Sequence, residues 1–335
     1  MEKSILPADR KREIIIRAEE ETDFNYGCKP EDRQPLSHYI NNGIINLDKP
    51  SGPTSHEIAT WVKKILKVKK SGHGGTLDPK VTGILPVALG NATKVNTGLL
   101  NAGKEYVCLM KIHHKFDFSR IRGVLNLFTN NIYQIPPLKS AVARVLRTRR
   151  IYYIKLLEFE KDENLVLFKV GCEAGTYIRK LCYDIGEVLL VGASMVELRR
   201  TRVGLFKEDS TLCTLQDLND AMYLYEKEGE EYYLKKFIQP METAIEHMDK
   251  IIIRDTAVDS ICHGADLAVN GVLNLNASIE KGDIVAIMTQ KGELVAFATT
   301  FRSARKIATL KSGLIAKTDR VFMKRKTYPF FKKKD

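Results

Sequence analysis

A chain of 335 residues, 44% hydrophobic and 28% charged, is long enough for about two domains and too ordinary in composition for wholesale disorder. Its formal net charge of +12 points to polyanionic partners, either nucleic acid or an anionic membrane surface. No run approaches the roughly 18 consecutive apolar residues of a membrane helix, and the stretch from Met1 to Arg12 lacks the apolar segment of a secretory signal. In chain order, residues 44–50 read as a short strand ended by Pro50, and Gly52-Pro53 forces a turn. Thr54 with Glu57 matches a capping box, and Ile58, Val62, Ile65 and Leu66 follow at helical spacing, which predicts a helix over 55–68. Four glycines and two prolines make 71–86 a loop. Strands are predicted at 105–112, 151–159 and 164–172, and helices at 118–129 and 178–190. Thr214 with Asp217 starts another helix, and Pro240 fits the first turn of a short one over 240–247. Beyond residue 248, short apolar runs at 250–254, 283–289, 294–299, 313–316 and 321–323 alternate with Gly-containing turns. Gln290-Lys291-Gly292 is a hairpin signal, and the texture suggests a small separate β-barrel.

The charge is unevenly spread. Residues 41–150 carry a net +13 and residues 248–335 a net +7, while residues 151–247 carry −6 and residues 1–40 carry −2. Two basic blocks are thus separated by an acidic one, around Glu226, Glu228, Glu230 and Glu231, that reads as a solvated helix face or a dock for a basic protein. Six scattered cysteines without a Cys-x-x-Cys read as free thiols in a reducing compartment.

The glycine loop lacks both the G-x-G-x-x-G pattern and a Gly-Lys-Ser/Thr, so no nucleotide cofactor is expected. His113-His114 has no companions at ligand spacing, so no metal is expected either. Asp78, between Leu77 and Pro79 in the glycine-rich loop, is either a displayed catalytic carboxylate or a turn cap. Lys139 to Arg150 packs five cations, Arg144, Arg147, Arg149 and Arg150 among them, into twelve residues. It reads as an extended segment with one cationic edge for tracking phosphates, or as a solvated strand face. Leu198-Arg199-Arg200-Thr201-Arg202 is a further cationic cluster, and Tyr177 and Arg179 follow the Gly175-Thr176 turn.

The segments Leu47-Asp48-Lys49-Pro50-Ser51-Gly52-Pro53-Thr54-Ser55-His56 and Gly72-His73-Gly74-Gly75-Thr76-Leu77-Asp78-Pro79 resemble the first two motifs of the TruB family of RNA pseudouridine synthases. Lys104-Glu105-Tyr106, Pro136-Pro137 with Ser140-Ala141-Val142, Gly175-Thr176-Tyr177-Ile178-Arg179 and Leu198 to Arg202 resemble its later motifs, in the same order over about residues 40–206. Within the family, the N-terminal stretch, Gly52-Pro53-Thr54-Ser55-His56 and a PUA-like segment at His263-Gly264-Ala265-Asp266-Leu267 resemble the dyskerin-type catalytic subunit of H/ACA ribonucleoproteins. Gly74 and the run Gly83 to Leu89 are closest to the archaeal form. Ile135 and Ala143 stand where that branch usually carries Arg and Lys.

The resemblance implies an α+β pseudouridine synthase fold, a mixed and largely antiparallel sheet flanked by helices, followed by a small PUA-like β-barrel. It also implies a domain layout: an extension over 1–40 packing on the C-terminal domain, a catalytic domain over 41–247, a PUA domain over 248–330 and a basic tail over 331–335. By the same resemblance Asp78 is the essential carboxylate, Arg179 keeps it ionised and oriented, Tyr106 stacks on a flipped base, and Leu198 walls the pocket. His73 holds the target out of the stack, and Lys49, Tyr177, Arg144, Arg147, Arg149, Arg150, Arg200, Arg202 and His263 contact RNA. Neither cofactor nor metal is implied. The implied partners are an H/ACA guide RNA, substrate ribosomal RNA, a small zinc-ribbon-like subunit, a glycine/arginine-rich-type subunit and a kink-turn-binding ribosomal-like protein, in the cytoplasm of an archaeon or the nucleolus of a eukaryote. A stand-alone transfer-RNA synthase and a non-catalytic RNA-binding scaffold are the alternatives.

Overall fold

The computed structural model describes residues 5–137 and 143–330, without the side chain of Asn101. Ser140-Ala141-Val142, Lys139 and the basic tail at 331–335 lie outside the described residues. The chain divides into two units: residues up to Arg10 with Ile45–Val87 and Asn96–Ile238, and Lys11–Ile44 with Ala88–Val95 and the residues from Gln239 onward. One break between the units falls at 238/239, and the N-terminal stretch is shared between them.

In chain order, β1 (Ile14–Ile16) and α1 (Leu36–Asn41) precede β2 (Gly43–Lys49) and α2 (Ser55–Ile65). The Thr54/Glu57 capping box starts α2 and Ile58, Ala59 and Val62 bury its apolar face. The helix stops at Ile65, short of residue 68, because Lys67 turns left-handed at φ 53°. Next come β3 (Ser71–His73) and β4 (Thr82–Leu89), so half of the expected 71–86 loop is strand. Gly83 explains the misreading: a Cβ there would lie 2.2 Å from the Arg200 carbonyl oxygen, and its φ of +101° suits glycine. The chain continues through α3 (Asn96–Asn101), β5 (Lys104–Ile112), α4 (Ile121–Leu127), β6 (Asn130–Gln134), β7 (Arg147–Glu160), β8 (Leu165–Cys172), α5 (Ile178–Leu189), β9 (Ala193–Val203) and β10 (Phe206–Lys207).

The larger sheet includes the run β2-β4-β9-β5-β8-β7-β6. β5 lies antiparallel between β9 and β8, and β4 meets β9 in parallel through Thr82↔Arg199 and Gly83↔Arg200. One face of this sheet is covered by α5, whose Ile178, Leu181, Cys182, Ile185 and Leu189 recur at helical spacing and pack with Cys108, Met110, Ile112, Phe168 and Val170. Thr214 caps α6 (Leu215–Glu228) in a second capping box, and α7 (Tyr232–Phe237) and β11 (Ile238–Pro240) follow. Pro240 precedes a single 3-10 turn over Met241–Ile245 in place of the expected helix.

The second unit comprises β12 (Lys250–Ile253), α8 (Asp255–Cys262), β13 (Leu267–Ala268), β14 (Val272–Asn276), β15 (Ile284–Met288), β16 (Leu294–Thr300), α9 (Ala304–Thr309) and β17 (Leu314–Val321), together with β1. Its sheet runs β1-β14-β12-β15-β16-β17-β13 over a core of Ile251, Val258, Val285, Val295, Ile315 and neighbours. Gly292 turns the β15–β16 hairpin at φ +85°, and β17 takes up most of the apolar run expected at 313–316 but ends on Val321, the first residue of the run expected at 321–323. β1 pairs antiparallel with β14, Ile15 opposite Leu275.

Candidate active site

The loop between β3 and β4 carries Asp78, and its backbone is held at many points. Gly74 N–H donates to the Pro86 carbonyl at 2.9 Å, and Leu77 N–H to Ser55 Oγ at 2.9 Å. Lys49 donates through Nζ to the carbonyls of Pro50, Pro79 and Val81 at 2.8, 2.9 and 2.9 Å. Arg200 donates through Nε to Ile84 O at 2.7 Å and through Nη2 to Gly75 O at 3.1 Å. Val81 N–H closes the turn on the Asp78 carbonyl at 3.0 Å. Leu77 is buried beside this turn while the Asp78 carboxylate points outward, 60% exposed.

Arg179, in the first turn of α5, meets that carboxylate with Nη2 2.8 Å from Oδ2. An ion pair this open to water adds little stability; what the contact gives is a direction for the carboxylate. The β5–β9 register sets Tyr106 opposite Arg200 and Cys108 opposite Leu198. Alternation along each strand turns these side chains to one face, where Tyr106 and Leu198 lie half-buried against the α5 core. Burial pushes the Tyr106 phenol above its ordinary pKa, against the opposing pull of Arg200, so the group stays a hydroxyl at neutral pH. His73 ends β3 half-buried. Burial lowers its pKa, and its Nδ1 makes no hydrogen bond among the described residues.

Three of the expected RNA contacts are spoken for within the protein. Lys49 has no exposed surface and Arg200 only 1%, and both serve the backbone of the Asp78 loop. Their charge in the sequence does not reveal that burial. Arg202 is engaged by Asp9 through Nη1 and Nη2 at 2.9 and 2.7 Å and donates to Gly204 O at 2.8 Å. Alternation on β7 also divides the expected single cationic edge. Arg147 and Arg149 share one face and Arg150 takes the other, where its guanidinium lies 5.8 Å from the Tyr152 ring centroid. Arg149 borders Gly175, and the exposed Arg144 reaches the Pro136 carbonyl at 3.2 Å. Tyr177 is the residue before α5. In the other unit His263 ends α8, 44% exposed, with Nδ1 2.8 Å from the Asp259 carbonyl.

Two features escaped the sequence. Asp48 and Glu208 pair with Arg199, and the Gln134 side chain clasps the Tyr177 backbone. Among the described residues no cluster of three His, Cys, Asp or Glu could hold a metal, and no helix is long and apolar enough to cross a membrane. The six cysteines are free thiols.

Four family models match the chain: the DKCLD domain over residues 3–59, the TruB family pseudouridylate synthase N-terminal domain over 63–122, the tRNA pseudouridylate synthase B C-terminal domain over 179–246, and the PUA domain over 249–322. A probable tRNA pseudouridine synthase B from Pyrococcus abyssi is 53% identical over 326 residues, 97% of each chain. One from Methanopyrus kandleri is 52% identical, over 97% of this chain and 95% of its own. Among solved structures, a chain of a Cbf5-Nop10-Gar1 complex superposes with a TM-score of 0.95 at 53% identity, covering 98% of this chain and 99% of that one. A chain of an H/ACA RNP bound to a substrate RNA containing 2'-deoxyuridine gives 0.91 at 52% identity, with 97% and 99% covered.

Proposed function

The chain belongs to the TruB family of pseudouridine synthases, and from that premise we propose that it isomerises uridine to pseudouridine in ribosomal RNA as the guide-directed catalytic subunit of an H/ACA ribonucleoprotein. The observation that carries this reading is the likeness, over 97% of the chain, to a chain of an H/ACA RNP bound to a substrate RNA. The reaction breaks the N1–C1′ bond, turns the base and rejoins it through C5, with a proton leaving C5 and another reaching N1. No co-substrate is consumed.

In this reading the target leaves the stack at a cost of about a few kcal/mol and enters the site bounded by Tyr106 and Leu198. Tyr106 stacks on the extruded base, Leu198 supplies an apolar wall, and His73 keeps the target from returning. Asp78 acts on the nucleotide through its carboxylate, with Arg179 fixing its direction. Arg144, Arg147, Arg149, Arg150 and Tyr177 lie toward the substrate strand, and His263 with the PUA unit serves the guide RNA. The partners are proteins of the Nop10 and Gar1 kind, together with a kink-turn-binding protein, in the cytoplasm of an archaeal cell. The relatives' names favour a second substrate, transfer RNA.

The test is a reconstituted complex assayed for pseudouridine on ribosomal RNA fragments with and without guide RNA, and on transfer RNA. Product on ribosomal RNA is expected only with the guide; product confined to transfer RNA without any guide replaces this reading with the stand-alone one. Asp78→Asn and Arg179→Ala are expected to bind RNA as the wild type does and to form no product. Near-wild-type turnover by Asp78→Asn would remove it from the chemistry.

A further inference from the structure

The Asp78–Arg179 pair is 60% and 64% exposed, so water competes with it and the contact itself cannot hold a long arginine in one place. The direction of Arg179 must come from the backbone at the start of α5. That helix has no side-chain cap at Tyr177, the residue that precedes it. Instead the Tyr177 peptide is gripped from outside. The Gln134 Oε1 accepts the Tyr177 N–H at 3.0 Å, and the Gln134 Nε2 donates to the Tyr177 carbonyl at 3.1 Å. Only one orientation of the amide satisfies both bonds, so the clasp is directional. The same carbonyl accepts the Leu181 N–H at 3.0 Å and so begins the helix.

Gln134 is itself fixed. It is the last residue of β6, 2% exposed, and stands opposite Arg147 in the β6–β7 ladder. The backbone that sets Arg179 is therefore tied by one carboxamide to the root of the basic segment that leads into β7. Arg147 and Arg149 lie on the same face of that ladder as Gln134.

We propose that Gln134 is a positioning residue, whose side-chain amide sets the Tyr177 peptide and thereby aims Arg179 at Asp78. The proposal rests on the pseudouridine synthase reading of the site. Gln134→Met keeps the volume and loses both bonds, whereas Gln134→Glu keeps the acceptor for the Tyr177 N–H. Each variant is measured in the assembled complex with guide RNA for kcat, for KM, for substrate-RNA affinity and for melting midpoint.

Gln134→Met is expected to lower kcat by ~10- to 100-fold, the scale of an ångström of misplacement, with KM and RNA affinity unchanged; the unpaired Tyr177 N–H lowers the melting midpoint, but the complex stays folded at the assay temperature. Gln134→Glu is expected to fall between it and the wild type. A Gln134→Met complex with wild-type kcat overturns the proposal. So does a loss of kcat matched by an equal loss of RNA affinity, or one that vanishes when the assay is run further below the melting midpoint, either of which would make Gln134 a general structural residue. A Gln134→Glu complex with wild-type kcat also overturns it, because the donor to the Tyr177 carbonyl would then not matter. A wild-type complex that forms no product would instead count against the functional reading.

Discussion

Lys49 spends all three N–H bonds of its ammonium on the carbonyls of Pro50, Pro79 and Val81, two of which flank the turn that carries Asp78. Replacing it with Met keeps the stem and leaves those oxygens without their donor, at ~1–3 kcal/mol for each that water cannot reach. Lys49→Met is therefore expected to lower the melting midpoint and the turnover number while substrate-RNA affinity stays at the wild-type level; unchanged melting with weakened RNA binding would return Lys49 to the RNA surface. At this scale the sequence revealed much. Asp78, Tyr106, Arg179 and Leu198 were named through the resemblance to the family's motifs; the structure pairs Asp78 with Arg179 and sets Tyr106 and Leu198 on one face. Gln134 was invisible, because nothing around a lone glutamine at a strand end indicates a partner 43 residues on.

Elements with strong local signals were the legible ones. The two capping boxes fixed the starts of α2 and α6, and the apolar runs fixed β5 and β8. β4 and β9 were not legible, for opposite reasons. β9 carries three arginines among its last six residues, which hide its alternation, and β4 contains Gly83 and Pro86, which imitate a loop. The glycine is a consequence of tertiary pairing, since the Arg200 backbone passes where a Cβ would sit. Gly83→Ala should force β4 and β9 apart and cost ~2–4 kcal/mol, the range of steric clash combined with backbone strain. Thermal melting checks this, and a midpoint equal to wild type would show that the parallel pairing tolerates the methyl group. Because the same pairing brings the Arg200 guanidinium to the loop, turnover should fall with stability in this variant.

Across the molecule, the net +12 divides into cations free to meet phosphate and cations already neutralised. Arg199 answers to Asp48 and Glu208, and Arg202 to Asp9, so the +13 of residues 41–150 has no simple continuation along β9. The cations that remain open on the β7 side and in the PUA unit should still dominate affinity. Each phosphate neutralised releases counterions, so guide and substrate affinity is expected to fall by ~10³-fold or more between 50 and 200 mM salt, as for six or more phosphate contacts. Titrating the complex over that range checks it, and a flat profile would deny the basic segments their role. The β1–β14 pairing has a different reach. Ile15 waits for Leu275, which leaves the ribosome about 260 residues later, so the C-terminal sheet cannot close until nearly the whole chain has been made. Through most of synthesis that N-terminal strand has no partner for its backbone hydrogen bonds, the condition under which strands pair with other chains.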